Sequence, residues 1–518
     1  MTATVNEPEE AMEWPRWQWL ERTIPVRMLL ALTFVMLGSS NILLWRFLGI
    51  GGISAVFAGI ACLAAIAWAV LRTPWNGDTA DAPTIGTWLV CTGIIAILLV
   101  IAGEGRFFYA NVDWQVRSAV MHDMGVNPWP FVYLHDGGKF LLRAPLGVYL
   151  IPAAAWKLIG ARGADLILLA QNAFIIGTLL TAASAMFDRA SHRFLALAVF
   201  VAFSGLDVVG ALLTHGFTYD HLELWAGRLE YSSTITLLFW VPQHAIAGWV
   251  GTVCYLLWLR GLAPARLLLI ATPLSAIWSP LALIGLMPFA AHAGISLIAS
   301  RKLCVGDVAF PALAVALVYP TLRYLGSDPG AVGYHLYDIA LMVWALFMLI
   351  EVVPFLYPLI AVAIQQRKFD ATLAIVGMIL LFLPFLQVGA AIDLMMRASI
   401  PALAILSVLV TERMLANDGE YRNWLMIMLI IGSVTGGMEI SRAFREPDSP
   451  ETHCTIFEAW DAGTVAHHGI QGQGIPKGTY LADLDLVPGM VRPASPHDVQ
   501  SRSGRRCWDT PWPRPAGI

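Results

Sequence analysis

An all-α, polytopic helical membrane protein is the fold class this sequence predicts, and three observations predict it. Hydrophobic residues make up 58% of the 518 and charged residues only 13%, with a mean hydropathy of +0.67, a balance that a water-covered surface does not accommodate. Roughly 12–14 apolar segments recur along the chain, most of them near the ~20 residues a bilayer crossing needs. Twenty tryptophans and thirty prolines supply an interfacial aromatic belt and many kinked or broken helices, which lipid tolerates only where neighbouring protein satisfies the freed backbone groups.

Residues 1–26 read as a cytoplasmic segment. They open acidic, and the first apolar run is followed by no small-residue cleavage site, so the first helix is expected to stay as an anchor. The transmembrane domain spans 27–442. Its candidate segments run 27–47, 51–71, 86–103, 145–159, 163–185, 194–213, 234–258, 265–278, 280–299, 306–325, 338–363, 369–387, 398–411 and 424–441. Those at 145–159, 265–278 and 398–411 are short enough to tilt, thin the bilayer or re-enter.

Lysine and arginine set the orientation. Arg16, Arg22 and Arg27 precede the first helix, and Arg260 with Arg266, Arg301 with Lys302, Arg367 with Lys368, and Arg413 mark later turns on the same cytoplasmic side, while loop 326–337 has no positive charge. Counting back from these anchors places loops 104–144, 214–233, 326–337, 388–397 and the tail after 442 outside. Counting forward agrees to residue 144, and the two counts meet only if one of the segments 145–159, 163–185 and 194–213 fails to cross. Segment 194–213 contains Gly205 and Asp207, which suit a helix break, whereas 145–159 is simply short; the choice stays open.

The polar tail, 443–518, lacks helical periodicity and is expected to be irregular or partly disordered. Cys62, Cys91 and Cys254 lie in apolar segments as small buried hydrophobes, and Cys304 sits at a membrane edge. Cys454 and Cys507 fall in the tail, where an oxidising compartment would let them pair. A net charge of −4 with no basic run or zinc-type cysteine spacing excludes nucleic-acid binding.

Loop 104–144 is the first place to look for chemistry. Between Arg106 and Arg143 it keeps Asp113, Arg117, His122, Asp123, Asp136 and Lys139 beside apolar segments. Asp113, followed by Trp114 about ten residues after a helix exit, suits a general base at the membrane surface, since partial burial raises a carboxyl pKa toward the operating range. The plainer reading is a solvated helix cap.

A second stretch runs from Asp220, His221, Leu222 and Glu223 through Glu230 to Phe239-Trp240-Val241-Pro242-Gln243-His244. Pro242 breaks any helix there and leaves Gln243 and His244 near freed carbonyls. His221 and Glu223 lack helical i,i+4 metal spacing, so contacts to sugar hydroxyls or a phosphate compete with a divalent cation, and a bundle-satisfied His244 competes with both. Further on, Asp393 and Arg397 are four apart: they either pair with each other or leave Arg397 to hold a lipid phosphate, with Ser399 and Pro401 opening a helix behind them. Asp207 and Glu351 sit inside apolar runs, and Glu351 precedes Pro354 at an expected kink. Under the orientation above, Asp113, the His221–His244 region and Asp393–Arg397 approach one membrane face.

With these residues in view, the chain resembles integral-membrane glycosyltransferases of the C-type fold, which use polyprenyl-phosphate sugars and include protein mannosyltransferases and aminoarabinose transferases. The resemblance rests on Asp113 in NVDWQVRSAV of a helical first external loop, on many short apolar helices, and on a hydrophilic end after the last span; it covers residues 86–441. The chain is also similar to bacterial multi-pass membrane proteins of unassigned activity with stretches like FWVPQHAIAGW and MRASIPAL, here at 239–249 and 396–403. It departs from the C-type pattern in its extra helices before the loop, its lone aspartate where an acidic pair is common, and its tail.

The resemblance implies transfer of a sugar from a polyprenyl-phosphate carrier to a glycan, lipid or protein acceptor at the external face of a bacterial inner membrane. Asp113 would be the base, and Trp114, Arg117, Lys139, Arg143, His221, Glu223, Gln243, His244, Asp393 and Arg397 would be the substrate contacts. It fixes no cofactor, and a divalent cation is compatible with it. A transporter or lipid flippase is the rival class: it needs Asp207, Glu351 and Asp393 along one path, and it is weakened by the lack of an inverted repeat. A polysaccharide polymerase or ligase would instead use Arg106, Arg117 and Arg143 with His221 or His244.

Overall fold

Capping residues and prolines set where the helices begin and break. The computed structural model describes residues 17–73, 82–217, 221–389, 392–416, 418–463, 477–500 and 506–512; Arg16 and Asp220, which the sequence argument used, lie outside the described residues. The chain opens with α1 (Val26–Leu48), α2 (Gly52–Arg72) and α3 (Ile85–Ile101). Gly49 closes α1 at φ 72°, a left-handed conformation in which a side chain is strained, and its N–H returns to the Trp45 and Arg46 carbonyls. Thr84 opens α3, its hydroxyl accepting from Thr87 N at 3.2 Å.

Loop 104–144 then forms α4 (Asp113–Val126) and a hairpin of β1 (Phe131–His135) and β2 (Gly138–Leu142). The long α5 (Gly147–Ser184) is followed by α6 (Ala190–Ala202), α7 (Asp207–Thr214), α8 (Thr234–Trp240) and α9 (Pro242–Leu259). Next come α10 (Arg266–Leu274), α11 (Pro280–Ala299), α12 (Val305–Leu325), β3 (Tyr334–Leu336), α13 (Leu341–Glu351), α14 (Val353–Gln365) and α15 (Ala371–Phe382). The remainder is β4 (Leu386–Val388), α16 (Asp393–Ala398), α17 (Ile400–Leu415), α18 (Arg422–Arg445), α19 (Ile456–Ala462), α20 (Lys477–Tyr480), β5 (Leu481–Asp483) and β6 (His497–Gln500).

Seven described helical stretches are long and apolar enough to cross a membrane: Val26–Leu48, Gly52–Arg72, Gly147–Ser184, Ala190–Thr214, Pro280–Ala299, Val305–Leu325 and Arg422–Arg445. They become eight if α13 and α14, bent by 72° at their junction, count as one. The protein is therefore a multi-pass helical membrane protein, with fewer full spans than its apolar segments suggested. The others are short, at 17 residues in α3 and 16 in α17, or are divided by proline and glycine breaks. Segment 234–258 splits into α8 and α9 at Pro242, segment 265–278 holds only the nine-residue α10, and segments 145–159 and 163–185 become two arms of α5 that meet at Gly160, whose φ is 74°, and fold back on each other, Gln171 Nε2 of the second donating to the Val148 carbonyl of the first at 3.0 Å. Because the two arms fold back on each other, α5 makes one net crossing, which removes the mismatch between the two topology counts and returns the chain to the same end of the bundle for residues 221–233. Segment 194–213 does break at Phe203–Leu206, between α6 and α7. Large apolar side chains such as Ile53, Phe57, Ile298 and Ile430 stand exposed along these helices, as lipid contact requires.

At one end, a four-stranded sheet of order β5-β2-β1-β6 joins the loop after α4 to the tail. β1 and β2 pair antiparallel, Tyr133 opposite Phe140, around Asp136 and Gly137, both at positive φ as a two-residue I′ turn needs. β6 pairs parallel to β1 with Phe131 opposite His497, and β5 antiparallel to β2 with Leu141 opposite Ala482. The buried Asp123 carboxylate of α4 accepts from the Tyr133 hydroxyl at 2.7 Å and from Ile456 N of α19 at 3.0 Å. Cys454 and Cys507 form a disulfide. The described part of the tail is thus ordered, not an irregular appendage, and the first large loop is helix plus hairpin, not helix alone. A second sheet pairs β3 with β4, tying residues 334–336 to 386–388.

Where α3 ends, Glu104 is buried and accepts from Asn172 Nδ2 of α5 at 2.8 Å. Burial pushes its carboxyl up to about 8 from an ordinary 4.5, the Asn172 hydrogen bond opposing that only in part. The folded chain thus holds a proton that the unfolded chain releases near 4.5, so this contribution to stability is complete below that pH and drains away as pH rises through about 8. Glu104→Gln, which keeps the hydrogen bond without the charge, should flatten the fall of the thermal unfolding midpoint between pH 5 and 8. Superimposable pH profiles for the two proteins would refute the assignment.

Candidate functional site

The proline break between α8 and α9 is where the loop carrying Asp113 is anchored. It frees the Phe239 carbonyl, which accepts from Asn111 Nδ2 at 2.7 Å and Trp114 Nε1 at 3.1 Å. Trp114 is buried by this contact, so it positions α4 instead of reaching a ligand. Asn111 also caps the start of α4, its Oδ1 accepting from Asp113 N at 3.1 Å.

Beside this anchor lies a cavity of about 440 Å³, in the size range of small-molecule sites. Six of the residues singled out from sequence line it: Arg117 from α4, Arg143 just after β2, Gln243 and His244 from the first turn of α9, and Asp393 and Arg397 from α16. Tyr149 of α5, Thr479 and Tyr480 of α20 and Tyr334 of β3 add to its polar part, while Val120, Pro145, Leu281, Leu325 and Val388 form an apolar wall. The cavity draws on loops 104–144, 326–337 and 388–397 and on the tail, so four segments far apart in sequence meet here.

Three guanidiniums line the cavity, and two of them pair with carboxylates. Arg117 NH2 lies 2.7 Å from Asp113 Oδ2, and Arg397 pairs with Asp393 across one helical turn. Burial works against the Arg117 charge, but Asp113 and the other acidic groups around it outweigh that and hold its pKa above the ordinary value. Arg117 NH1 and Arg397 Nε are buried and make no hydrogen bond among the described residues. Such donors are matched by phosphate or carboxylate oxygens. The N-terminus of α9 adds its dipole in the same sense. His244 shares a 2.8 Å hydrogen bond between Nδ1 and the Ser279 hydroxyl, which also caps α11 through Ala282 N. Asp113 does not line the cavity. It pairs with Arg117 and keeps about a third of its side chain exposed (33%).

Other sequence candidates go elsewhere. Lys139 is exposed on β2 and bound to both carboxylate oxygens of Asp498 on β6 at 3.0 Å, a strand-to-strand tie. Arg106 pairs with Asp165 and Glu451. His221 and Glu223 enter a separate buried cluster with Glu230 and Glu439, where the ligand-capable atoms of His221, Glu223 and Glu230 all lie within 4.8 Å of one another. Asp207 accepts from the Ser204 and Thr435 hydroxyls and Glu351 from Trp225 Nε1; neither lines the cavity. Sequence reasoning passed over Tyr149, Tyr480 and Glu439, whose only signal was a polar group within or next to an apolar or glycine-rich run.

No family model matches the chain, and no curated protein or solved structure is significantly similar to it.

Proposed function

We propose that this protein is a membrane glycosyltransferase that moves a sugar from a polyprenyl-phosphate carrier to a glycan, lipid or protein acceptor, with Asp113 as general base. The observation that carries this reading is the cavity at one end of an apolar bundle, which sets Arg117, Arg143 and Arg397 against an apolar wall. A phosphate with an isoprenoid tail matches both halves. In the reaction, the acceptor hydroxyl oxygen attacks the anomeric carbon, the bond from that carbon to the phosphate oxygen breaks, and the acceptor proton passes to Asp113, with inversion at the anomeric centre. Arg117 and Arg397 offset the charge left on the departing phosphate, a role that Lys139 is placed too far into its own ion pair to take. The Cys454–Cys507 disulfide supports putting this end on the oxidising, external side of a bacterial inner membrane.

The polymerase or ligase reading draws support from Arg117, Arg143 and His244 sharing the cavity. The transporter reading draws none from Asp207 and Glu351, which do not share a lining with Asp393. The test is incubation of the purified protein in lipid with a panel of radiolabelled polyprenyl-phosphate sugars. Release of free carrier with at least one donor is the expected result; no release with any donor from folded protein would sink the proposal.

A further inference from the structure

The His221 cluster is built in the way metal centres are built. We propose that His221, Glu223 and Glu230 hold a divalent first-row transition-metal ion, His221 through Nε2 and each glutamate through one carboxylate oxygen. His221 Nε2 is 3.6 Å from Glu223 Oε2 and 3.7 Å from Glu230 Oε1. Two ligand atoms on a tetrahedral ion at 2.0–2.2 Å are separated by roughly 3.4 Å, so small side-chain movements close the site.

The surrounding contacts orient each ligand, Glu230 Oε1 accepting from the Ser232 hydroxyl at 3.1 Å. The other imidazole nitrogen, Nδ1, is 2.9 Å from Glu439 Oε1, which fixes the proton on Nδ1 and leaves Nε2 as the donor to a metal. Glu439 is held in turn by Arg442 at 3.0 Å and by Trp240 Nε1 at 2.9 Å. Glu223 spends one oxygen, Oε1, on Ser233 N at 2.8 Å and the Thr236 hydroxyl at 2.6 Å. Its second oxygen, Oε2, is buried with no hydrogen bond among the described residues, and the Glu223 side chain is 0% exposed. A fully buried carboxylate oxygen 3.6 Å from an imidazole nitrogen is stabilised by positive charge, which a bound dication supplies to both glutamates at once.

Charge counting agrees. Glu439 and Arg442 offset each other, leaving Glu223 and Glu230 buried against one imidazole. A dication with neutral His221 balances those two carboxylates. The nitrogen and carboxylate donor set suits zinc or manganese, and three protein ligands leave further coordination positions to water or a substrate oxygen. All three ligands come from residues 221–230, while the supporting groups come from α8 and α18, so the ion would fasten that loop to the bundle.

The deciding experiment uses full-length, tag-free protein in detergent, stripped with chelator, dialysed against zinc chloride alone, and assayed for metal by mass spectrometry. One equivalent of zinc per chain is expected, with retention falling at least tenfold in Glu223→Gln and Glu230→Gln. Glu439→Gln should weaken zinc affinity 10–100-fold without changing the stoichiometry at saturation. Zinc should also raise the unfolding temperature of the wild type and not of the two ligand variants. Should Glu223→Gln fail to fold, Glu230→Gln, at the less buried glutamate, decides alone. A wild type that retains no zinc, or a folded ligand variant that retains a full equivalent, overturns the proposal. None of these readouts depends on glycosyl transfer.

Discussion

Asp113→Asn is expected to abolish carrier release from polyprenyl-phosphate sugars while leaving expression and unfolding temperature close to wild type. The substitution is nearly isosteric, and the Asn111 cap is made to the backbone N–H of residue 113, so α4 keeps its start. What changes is the capacity to accept a proton, and removing a positioned general base costs typically 10²–10⁴-fold in rate. The charge of Arg117 also loses its partner at 2.7 Å, which should tighten the hold on an anionic donor; KM for the donor would then fall or stay level as kcat collapses. A variant as active as wild type would remove Asp113 from the role of base, and a rise in KM with kcat intact would recast it as a binding residue.

Gly285→Ala is expected to damage both stability and donor binding from a position that touches no substrate. A Cβ on residue 285 of α11 would lie 2.1 Å from the Ala398 carbonyl oxygen and 2.9 Å from its Cα. Both are backbone atoms at the end of α16, so the clash is relieved only by moving the helix that carries Asp393 and Arg397. Overpacking of this kind costs about 1–3 kcal/mol, and displacement of Arg397 should raise the donor KM roughly tenfold, the equivalent of ~1.4 kcal/mol in binding. Gly294→Ala on the same helix is the control: nothing lies within 4 Å of its added Cβ, and the gain in helix propensity makes it neutral or mildly stabilising. Equal unfolding temperatures and equal KM values for the two variants would show that the contact between α11 and α16 is not under compression.

Much of the cavity was legible in the sequence because charge in an apolar chain has few places to go. Arg143, Asp393 and Arg397 sit at the edges of apolar segments, Arg117 lies in the loop between two of them, and Gln243 and His244 follow a proline break, so polar groups that lipid would reject are gathered toward one side of the bilayer. Pro242 was readable as a break, but not what the freed carbonyl would bind, since Asn111 and Trp114 come from another helix pair. Lys139 was misplaced for a related reason: its partner Asp498 lies 359 residues away, and periodicity carries no information about such a pairing. The hairpin signal was present in Val132-Tyr133-Leu134-His135-Asp136-Gly137, an alternating run into a turn dipeptide, and was outweighed by the helical character of the chain around it. Glu439 reads as an unremarkable residue near the end of the last span, and only the fold brings it to His221.

The sheet that joins the first large loop to the tail has a consequence for biosynthesis. Residues 131–142 leave the ribosome long before their partners, and the tie from Lys139 to Asp498 closes over 359 residues. At about 5–20 residues per second, roughly 20–70 s pass between making the inner strands and making the outer ones. Throughout that interval the hairpin has two bare edges and Tyr480 has not reached the cavity wall. The cavity and its sheet are therefore completed last, and a chain cut short before β6 would be inserted, nearly complete in mass, and unfinished where it matters.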